Sequence, residues 1–521
     1  SVSYVTGSHA FKVGVFMMEG WGRSHFEVND TPYGPISFQF RSGLPASITQ
    51  YSSPQDVRYR LMPDLGIYAQ DQWTRNRLTL NLGVRFDHVR AYAPAQREEG
   101  NLFVGPREFP EGDNIPNFND ISPRLGVAYN VFGNGKTAIK GSLGGYVGAE
   151  GARLSQLNAP AARIAGAATR TWTDADRDFV PDCDLRDLQA NGECGRLSNL
   201  NLGRTVPSTN YAEEVLRGFG RRAYNWQGAV SVQQELRPGM ALSLGYFHTR
   251  HANLTTTANQ AVTPAEFNQY CITAPTDPRL GATSGSALCG FYDVIPTRFG
   301  QVSNLVQPAT NFGKQTDEYS GIDVALNARF GRGGLIAGGL NTGKTVTNNC
   351  DIVQGNPQIA LMVNGAAASR ASTDFCRIAL PWSAQTQVKF AANYPLPWWG
   401  LQASGTFQNL PGIPIFANYV ATNAQIAPSL GRNLAAGAAG TATLQLMVPN
   451  TQFEDRLNQV DLRLTKTVAI GKAKLQGRFD IYNAFNASTI LNEVFTYGPS
   501  WRRPSAILGA RLLKLGAQLD F

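Results

Sequence analysis

Apolar and polar residues alternate singly along many segments of the chain. In RLTLNLGVRFDH (77–88), the apolar residues from Leu78 to Phe86 fall on one face, and Arg85 and Asp87 fall on the other. This period of two is typical of a β-strand with one apolar and one polar face. We predict about fifteen strands, longer on average than the roughly five to six residues common in globular proteins. The segments are 9–20, 35–50, 57–74, 77–88, 121–132, 136–148, 225–237, 240–253, 320–330, 335–347, 385–396, 401–414, 459–466, 475–482 and 511–521.

Two kinds of connection alternate between these strands. Short turns rich in glycine, proline or asparagine lie at 132–136, 237–240, 330–334, 397–400 and 469–472. Long irregular stretches lie between successive hairpins, at 89–119, 149–224, 254–316, 348–384, 415–453 and 487–509. An outer-membrane barrel has this order, because its periplasmic turns are short and its extracellular loops are long. The pattern therefore predicts an all-β fold: a transmembrane antiparallel β-barrel with long extracellular loops.

The polar faces of the predicted strands need an aqueous environment. In a membrane barrel, the apolar face contacts lipid and the polar face lines the lumen. We therefore expect the charged strand residues to point inwards. They are Arg85, Asp87, Asp323, Arg329, Asp461, Arg463, Arg478 and Asp480.

Composition agrees with this interpretation. Only 16% of the 521 residues are charged, 53 are glycine, and the mean hydropathy is −0.22. No apolar run reaches the roughly eighteen residues that a membrane-spanning helix needs. The formal net charge of +8 is scattered without a basic motif, so we expect no nucleic-acid partner. The first residue is serine with no leader pattern after it, so we expect any export signal to have been removed or to lie upstream.

The six cysteines form three local pairs in the predicted connections. An even number outside the strands indicates disulfides formed in an oxidising compartment such as the periplasm. Six unrelated thiols are the alternative, and the sequence alone does not fix the connectivity. The pairs are Cys183 with Cys194, Cys271 with Cys289, and Cys350 with Cys376.

No group of residues has the arrangement of a catalytic site. His248 and His251 form an HTRH pair, but residues three apart lie on opposite faces of a strand. The segment GLNTGKTVT (339–347) lacks the spacing of a phosphate-binding loop. The sequence therefore predicts a protein that is not an enzyme.

The segment TDADRDFVPDCDL (173–185) carries five aspartates in a short stretch. They occupy positions 1, 3, 5, 9 and 11 of a loop that resembles an EF-hand: Asp174, Asp176, Asp178, Asp182 and Asp184. The usual glycine at position 6 is Phe179, and position 12 has no glutamate, so the aspartate-rich Ca²⁺ loops of extracellular repeats are the closer analogy. We predict that these aspartates bind Ca²⁺; a solvated acidic loop is the alternative.

The predicted loop around this motif has few apolar runs. We therefore expect that it cannot order itself through a hydrophobic core. Bound Ca²⁺ and a disulfide between Cys183 and Cys194 would order it instead.

The end of the chain resembles a known family. The strand RLLKLGAQLDF ends on Phe521, and a terminal strand of this kind resembles the signal by which bacterial outer-membrane barrels are recognised during assembly. FDIYNAFN (Phe479 to Asn486) and WRRPSAIL (Trp501 to Leu508) look like the C-terminal region of TonB-dependent outer-membrane receptors, particularly the Oar-like group. Upstream, YVTGSHAFKVG (Tyr4 to Gly14) and GIYAQDQWTRNRLTLNLGVRFD (Gly66 to Asp87) are similar to this group as well.

The resemblance implies a barrel of about 22 strands with an N-terminal plug domain. Residues 1–521 are then the C-terminal portion of the outer-membrane β-barrel domain, and the plug lies outside this chain. The implied function is receptor-mediated uptake of a bulky nutrient across the bacterial outer membrane. The implied partners are TonB (through the missing N-terminal part), an unknown nutrient, the barrel-assembly machinery, and outer-membrane lipid including lipopolysaccharide.

Two other functions fit the same barrel. A surface structural or adhesion protein would use its long loops to bind partners. A passive porin would need an open lumen and a loop folded into it. A plug domain in the complete protein would distinguish the receptor from the porin.

Overall fold

The computed structural model describes residues 1–112, 114–331, 333–359 and 372–521. Its main feature is a meander of fifteen strands that follow one another in chain order, each antiparallel to the next. The strands are β1 (Val2–Thr6), β2 (His9–Phe26), β3 (Gln55–Arg75), β4 (Leu78–Tyr92), β5 (Asn117–Asn130), β6 (Thr137–Val147), β7 (Tyr224–Arg237), β8 (Met240–Ala252), β9 (Thr316–Phe330), β10 (Gly334–Asn348), β11 (Gln387–Pro395), β12 (Leu401–Leu410), β13 (Leu457–Ile470), β14 (Ala473–Tyr482) and β15 (Leu512–Asp520).

The sheet confirms the predicted antiparallel all-β fold. Two three-residue strands, Arg217–Phe219 and Arg377–Ala379, also pair with β5 and β10, which makes the sheet seventeen-stranded. Among the residues that the structure describes, β1 pairs only with β2, and β15 pairs only with β14. The last register pair of β15 joins Asp520 to Lys474, and Phe521 extends fully exposed beyond it.

One predicted barrel strand is wrong. Segment 35–50 is a separate hairpin of Ile36–Arg41 and Leu44–Tyr51, because Ser42 and Gly43 adopt positive φ angles of 51° and 80° and reverse the chain. This hairpin pairs with Ala167–Thr171 instead of joining the meander. Val2–Thr6 is a barrel strand that was not predicted, because its five residues are too few to establish a period of two.

The two faces of the meander differ as predicted. On β4, Leu82 and Val84 are about half exposed on the outward face. Arg85 lies on the opposite, inner face and forms an ion pair of 2.7 Å with Asp87. An outward apolar surface of this extent is what a lipid bilayer requires of a barrel wall.

Glycine on the inner wall makes room for aromatic rings. Gly14 on β2 lies directly across from Tyr68 on β3, and a Cβ atom on Gly14 would lie 2.5 Å from the Tyr68 ring. The ring therefore covers the glycine and shields its backbone. Such coverage offsets the cost of glycine within a strand.

Short and long connections alternate along the whole meander, as predicted. The seven long connections lie on one rim, which we assign to the extracellular side, and the short turns lie on the periplasmic rim. The predicted turn 330–334 includes residue 332, and the predicted connection 348–384 includes residues 360–371, which lie outside the described residues. The long connections are L1 (27–54), L2 (93–116), L3 (148–223), L4 (253–315), L5 (349–386), L6 (411–456) and L7 (483–511).

The loops contain their own short elements. The remaining strands are Gln96–Glu98 and Arg107–Phe109 in L2; Thr209–Tyr211 in L3; Thr255–Asn259, Phe267–Thr273, Ala287–Val294 and Asn304–Pro308 in L4; Asn418–Thr422 and Thr441–Gln445 in L6; and Ile490–Glu493 and Pro504–Ile507 in L7. The α-helices that lie wholly within the described residues are α1 (Arg153–Asn158), α2 (Cys350–Val353), α3 (Trp382–Gln385) and α4 (Asn423–Leu430). The 3₁₀ turns are Pro160–Arg163, Glu213–Val215, Pro264–Glu266, Pro278–Thr283, Pro296–Arg298, Ala309–Asn311 and Thr373–Phe375. None of the helices in the described residues is long and apolar enough to cross a membrane.

The loops pack on one another through apolar cores. The largest such core, the loop cap, joins residues of L4, L5, L6 and L7. L3 shares a second core with the L1 hairpin, where Trp172 and Leu185 contact Ile36 and Ile48. The expectation that L3 cannot order itself through a hydrophobic core is therefore wrong, because its apolar residues are scattered in sequence and are completed by a neighbouring loop.

The orientation of β4 can be tested with two cysteine variants of the complete protein in liposomes. A bimane label on Leu82→Cys should be quenched by a lipid-confined nitroxide, because Leu82 faces the bilayer. The same label on the adjacent Asn81→Cys should be insensitive to the nitroxide, because Asn81 faces the inner wall. Equal quenching of the two labels would contradict the assignment of the two faces.

Candidate metal site, inner wall and loop cap

The acidic segment of L3 folds into a tight turn around its own carboxylates. The Asp174 carboxylate accepts hydrogen bonds from the backbone N–H groups of Asp178 (3.2 Å) and Phe179 (3.3 Å). Arg177 and Phe179 both adopt positive φ angles, of 66° and 61°, and these angles curl the chain inwards. The turn thereby brings Asp174 and Asp176 onto one side.

A third carboxylate completes this group from a distant position. Carboxylate oxygens of Asp174, Asp176 and Glu193 lie within 4.8 Å of one another. Glu193 accepts hydrogen bonds from the backbone N–H groups of Ala175 (2.5 Å) and Asp182 (3.2 Å), and these bonds lower the pKa of its carboxyl group. Glu193 was not among the predicted ligands; its position beside Cys194 was the available signal in the sequence.

The other predicted ligands divide into two sets. The pKa of the Asp176 carboxyl group is raised. The hydrogen bond from the backbone N–H of Asp178 opposes this shift, but burial and repulsion from the carboxylates of Asp178, Asp182 and Glu193 together outweigh it. Asp178 and Asp182 therefore lie near the group. The Asp184 carboxylate instead accepts a hydrogen bond from the N–H of Arg186 (2.9 Å), in a separate turn.

Disulfides join the three cysteine pairs that the sequence grouped. Cys183–Cys194 holds Glu193 next to the acidic turn, with 5.8 Å between the Cα atoms. Cys271–Cys289 connects the two strands of the hairpin in L4, and Cys350–Cys376 closes a segment of L5. Each bridge therefore lies in a loop, where it reduces the conformational entropy of the unfolded chain.

The inner wall of β2 to β5 carries a polar cavity of about 320 Å³. Lys12, Gln70 and Arg124 line this cavity together with Tyr68. Arg124 also lies over the ring of Tyr146, at 4.9 Å from its centroid. The cations of the lining, Lys12, Arg85 and Arg124, outnumber its one carboxylate, Asp71, so the wall has hydrogen-bond donors and a net positive charge near its middle.

Nearer the extracellular rim, the inner wall carries a buried ion pair. The Arg222 guanidinium donates to the Asp120 carboxylate at 2.9 Å, and both side chains are less than a tenth exposed. Arg222 belongs to the end of L3, whereas Asp120 lies on β5. The pair therefore fixes the base of L3 against the barrel wall.

The loop cap is held by buried polar contacts as well as by its core. Arg432 of L6 donates to the carboxylate of Asp293 in L4 at 2.6 Å, and the N–H of Ala435 donates to the same carboxylate at 2.8 Å. Trp501 of L7 donates its indole N–H to the backbone oxygen of Phe416 in L6 at 2.8 Å. These contacts connect loops that are far apart in sequence into one unit.

One carboxyl group of the cap has an unusual protonation equilibrium. The Glu493 side chain of L7 is fully buried, beside Glu454 of L6 and 4.0 Å from the Nε atom of Arg502. Burial and then repulsion from Glu454 raise its pKa to about 7, although Arg502 opposes the shift. Glu493 therefore gains and loses its proton near neutral pH.

Comparison with known proteins identifies the family of this chain. The family described as an outer membrane beta barrel domain matches residues 1–413. The chain belongs to this family. Its location is therefore the bacterial outer membrane, where the apolar outward face of the barrel contacts lipid.

Individual relatives of the barrel are transporters. The TonB-dependent transporter Oar of Myxococcus xanthus is 26% identical over 151 residues, which cover 26% of this chain and 12% of Oar. The outer membrane transporter YddB from Escherichia coli has a TM-score of 0.51 at 11% identity, over 100% of this chain and 52% of YddB. The ferric-catecholate import receptor Fiu from E. coli K12 has a TM-score of 0.45 at 11% identity, over 99% of this chain and 53% of Fiu.

The match to Oar confirms the predicted resemblance to TonB-dependent receptors of the Oar-like group. The fold is shared with YddB, and the barrel spans about half the length of that transporter. The match to Oar covers a much smaller part of its length.

The raised pKa of Glu493 predicts that the loop cap is more stable in acid. Its pKa is raised from the ordinary 4.5 to about 7, so the folded cap binds a proton more tightly than the unfolded one does. The stability of the cap is therefore greatest below pH 4.5. It falls as the pH rises from 4.5 to about 7, and it stays low at higher pH. Hydrogen exchange of L7 in the complete protein should be slower at about pH 5 than at about pH 8, after correction for the intrinsic rate.

The control for this experiment is Glu493→Gln, which keeps the shape of the side chain and removes its charge. The variant should have equal protection of L7 at both pH values. Wild-type protection that is unchanged, or that increases with pH, would show that Glu493 does not govern the cap.

Proposed function

We propose that this barrel is part of a TonB-dependent transporter that brings a bulky nutrient across the outer membrane. The observation that carries the proposal is the arrangement of one continuous meander, with an apolar outward face, a polar inner wall and a packed loop cap over one rim. A barrel of this kind can bind a solute at its extracellular rim and lead it along a hydrophilic wall. The names of the relatives Oar and YddB agree with transport.

The complete protein would supply what transport needs beyond this chain. We infer that it contains further barrel strands, a plug domain in the lumen and a segment that contacts TonB. A plugged barrel of about 22 strands opens only when energy is supplied, whereas a passive porin of 16–18 strands has a permanent channel. Folding would use the barrel-assembly machinery, for which the exposed Phe521 remains the predicted recognition residue.

The positive charge of the inner wall supports the proposal that the transported solute carries hydrogen-bond acceptors or negative charge. Lys12 and Arg124 both line the cavity, and among the residues that the structure describes neither has an ion pair with a carboxylate, whereas Arg85 pairs with Asp87. Unpaired cations on a low-dielectric wall attract anionic groups. We therefore propose that these two residues contact the nutrient during its passage.

Uptake by cells that carry the complete gene tests this function. A deletion strain should lose growth on one member of a panel of siderophores, peptides and oligosaccharides, because this transporter is the route by which that nutrient enters the cell. Lys12→Glu with Arg124→Glu should reduce its uptake several-fold at equal surface abundance, since two favourable contacts become repulsive. Lys472→Glu, in the short turn between β13 and β14, is the matched control and should leave uptake unchanged.

The same cells distinguish the alternative functions. Uptake should stop when the proton-motive force is collapsed with an uncoupler. Uptake that continues would indicate a passive porin. A deletion strain with full growth on every nutrient but reduced attachment to surfaces would indicate an adhesion protein.

We also propose that the acidic turn of L3 binds Ca²⁺. Three carboxylates that converge within 4.8 Å support the proposal, since Ca²⁺ takes six to eight oxygen ligands. Asp174, Asp176 and Glu193 would be the central ligands, with Asp178 and Asp182 beside them. The ion would relieve the repulsion within the group and order the turn against the L1 hairpin.

Terbium luminescence provides a direct test, because Tb³⁺ replaces Ca²⁺ and Trp172 is a built-in antenna. The Trp172 indole N–H lies 3.4 Å from the Glu193 carboxylate. Excitation of tryptophan should therefore produce Tb³⁺ emission that Ca²⁺ displaces, with an affinity of about 10⁻⁴–10⁻³ M, as is usual in extracellular modules. Asp176→Asn should weaken binding about tenfold or more, because affinity depends on the charge of the ligands.

Asp184→Asn is the matched control, because Asp184 belongs to the same segment but lies in a separate turn. It should keep the affinity of the wild type. Absence of emission, or equal losses in both variants, would contradict the site and leave a solvated acidic loop.

A further inference from the structure

A cavity of about 330 Å³ lies among the loops L1, L2 and L3. Residues 103–107 of L2 form one part of its lining, residues between 185 and 204 of L3 form most of the rest, and L1 contributes Gln50. This volume falls within the range of small-molecule sites, which is roughly 300–1,000 Å³. We call it the leucine cavity, because five leucines of L3 line it: Leu185, Leu188, Leu197, Leu200 and Leu202.

The apolar lining of the leucine cavity runs from a buried end to an open end. Leu185 and Leu197 are less than a tenth exposed, whereas Leu188 and Leu200 are more than a third exposed. Phe103 of L2 adds an aromatic ring to the same lining. The cavity therefore presents apolar surface that a ligand can cover, and the removal of this surface from water would stabilise the complex.

Hydrogen bonds to the backbone hold both sides of the leucine cavity in place. In L2, the Asn101 side chain donates to the backbone oxygen of Tyr51 in L1 at 3.0 Å and accepts from the N–H of Phe103 at 2.8 Å. In L3, the buried Arg170 guanidinium donates to the backbone oxygen of Asp187 at 2.7 Å. Because the walls are fixed before a ligand arrives, binding costs little ordering of the loops.

The charged residues of the lining are all cationic. Arg107, Arg186 and Arg204 line the leucine cavity, and no carboxylate does so among the residues that the structure describes. Arg186 and Arg204 are exposed, and neither has an ion pair within the described part of the chain. The cavity therefore combines apolar walls with a net positive charge.

Arg107 is the buried member of this set, with a side chain that is 9% exposed. Its Nη2 atom lies 3.0 Å from the Glu98 carboxylate, but that carboxylate also accepts a hydrogen bond from the N–H of Asp56 at 2.8 Å. The Nε and Nη1 atoms of Arg107 are buried without a hydrogen-bond partner among the described residues. Burial lowers the pKa of Arg107, although Glu98 opposes this shift. A further anion nearby would therefore stabilise the buried cation.

We propose that the leucine cavity binds a small apolar carboxylic acid. The apolar body would cover the leucines, and the carboxylate would accept hydrogen bonds from Arg186 and Arg204, because the guanidinium fork matches the two oxygens of a carboxylate. The charge of Arg107 would attract the same carboxylate through the low-dielectric interior of the loops. Binding requires only the folded loops L1, L2 and L3, so it is independent of transport.

Binding of radiolabelled acids to the complete protein tests the proposal. The protein would be placed in lipid nanodiscs and dialysed to equilibrium at neutral pH against octanoate or 3-phenylpropanoate, with binding to empty nanodiscs subtracted. At least one of the two acids should bind saturably, with one molecule per protein. The alcohol of the same skeleton should compete at least tenfold more weakly, because it lacks the charge. Acetate and inorganic phosphate should not compete, because they lack the apolar body.

Two variants locate the bound acid. Arg186→Gln combined with Arg204→Gln should raise the Kd about tenfold, as expected for the loss of hydrogen bonds from charged donors. Leu200→Glu should raise the Kd at least as much, because it places a second carboxylate beside that of the ligand. All three positions are exposed, so the loops should still fold. Unchanged heat-modifiable migration would exclude misfolding of the barrel as the cause.

Arg196→Gln and Leu157→Glu are the matched controls. Both residues are exposed in L3 and lie outside the lining of the leucine cavity. Each control should bind the acid with the Kd of the wild type. Absence of saturable binding by both acids, equal losses in the variants and their controls, or equal competition by the alcohol would overturn the proposal.

Discussion

Backbone hydrogen bonding within a hydrocarbon layer is the constraint on which the rest of this structure depends. An N–H or C=O group that faces lipid without a partner costs several kcal/mol, so a spanning sheet must pair every strand with its neighbours. The meander from β1 to β15 satisfies this requirement along fourteen successive pairings, which leave one edge of β1 and one edge of β15 without a strand partner among the described residues. The alternation of side chains then follows, because each paired strand presents one face to lipid and one to the lumen.

The same constraint explains how much of the fold can be predicted from the sequence. A period of two persists in each long strand, so fourteen barrel segments are visible from the pattern. The pattern fails at Val2–Thr6, which is too short, and at 35–50, where the alternation is genuine but a tight reversal at Ser42 and Gly43 makes a loop hairpin. Alternation reveals a half-buried strand, and it does not reveal what buries it.

The loops lie outside the hydrocarbon layer, so this constraint on backbone hydrogen bonding does not act on them. Their structure is therefore harder to predict from the sequence. Their cores are assembled from single apolar residues of different loops, as where Trp172 of L3 packs against Ile48 of L1. No local period of apolar residues in the sequence therefore predicts these cores. The acidic turn shows the same limit. Asp174 and Asp176 are evident from their spacing, whereas Glu193 joins them only because the chain returns through the Cys183–Cys194 bridge.

We conclude that the apolar face of the meander contacts lipid while the opposite face lines an aqueous lumen. A cryo-electron-microscopy map of the complete protein in lipid nanodiscs tests it most directly. We expect acyl-chain density against the Leu78–Phe86 face of β4, and solvent or plug density against Arg85 and Asp87. A map in which the apolar face packs against another protein layer, with lipid absent from that face, would contradict this assignment of the two faces.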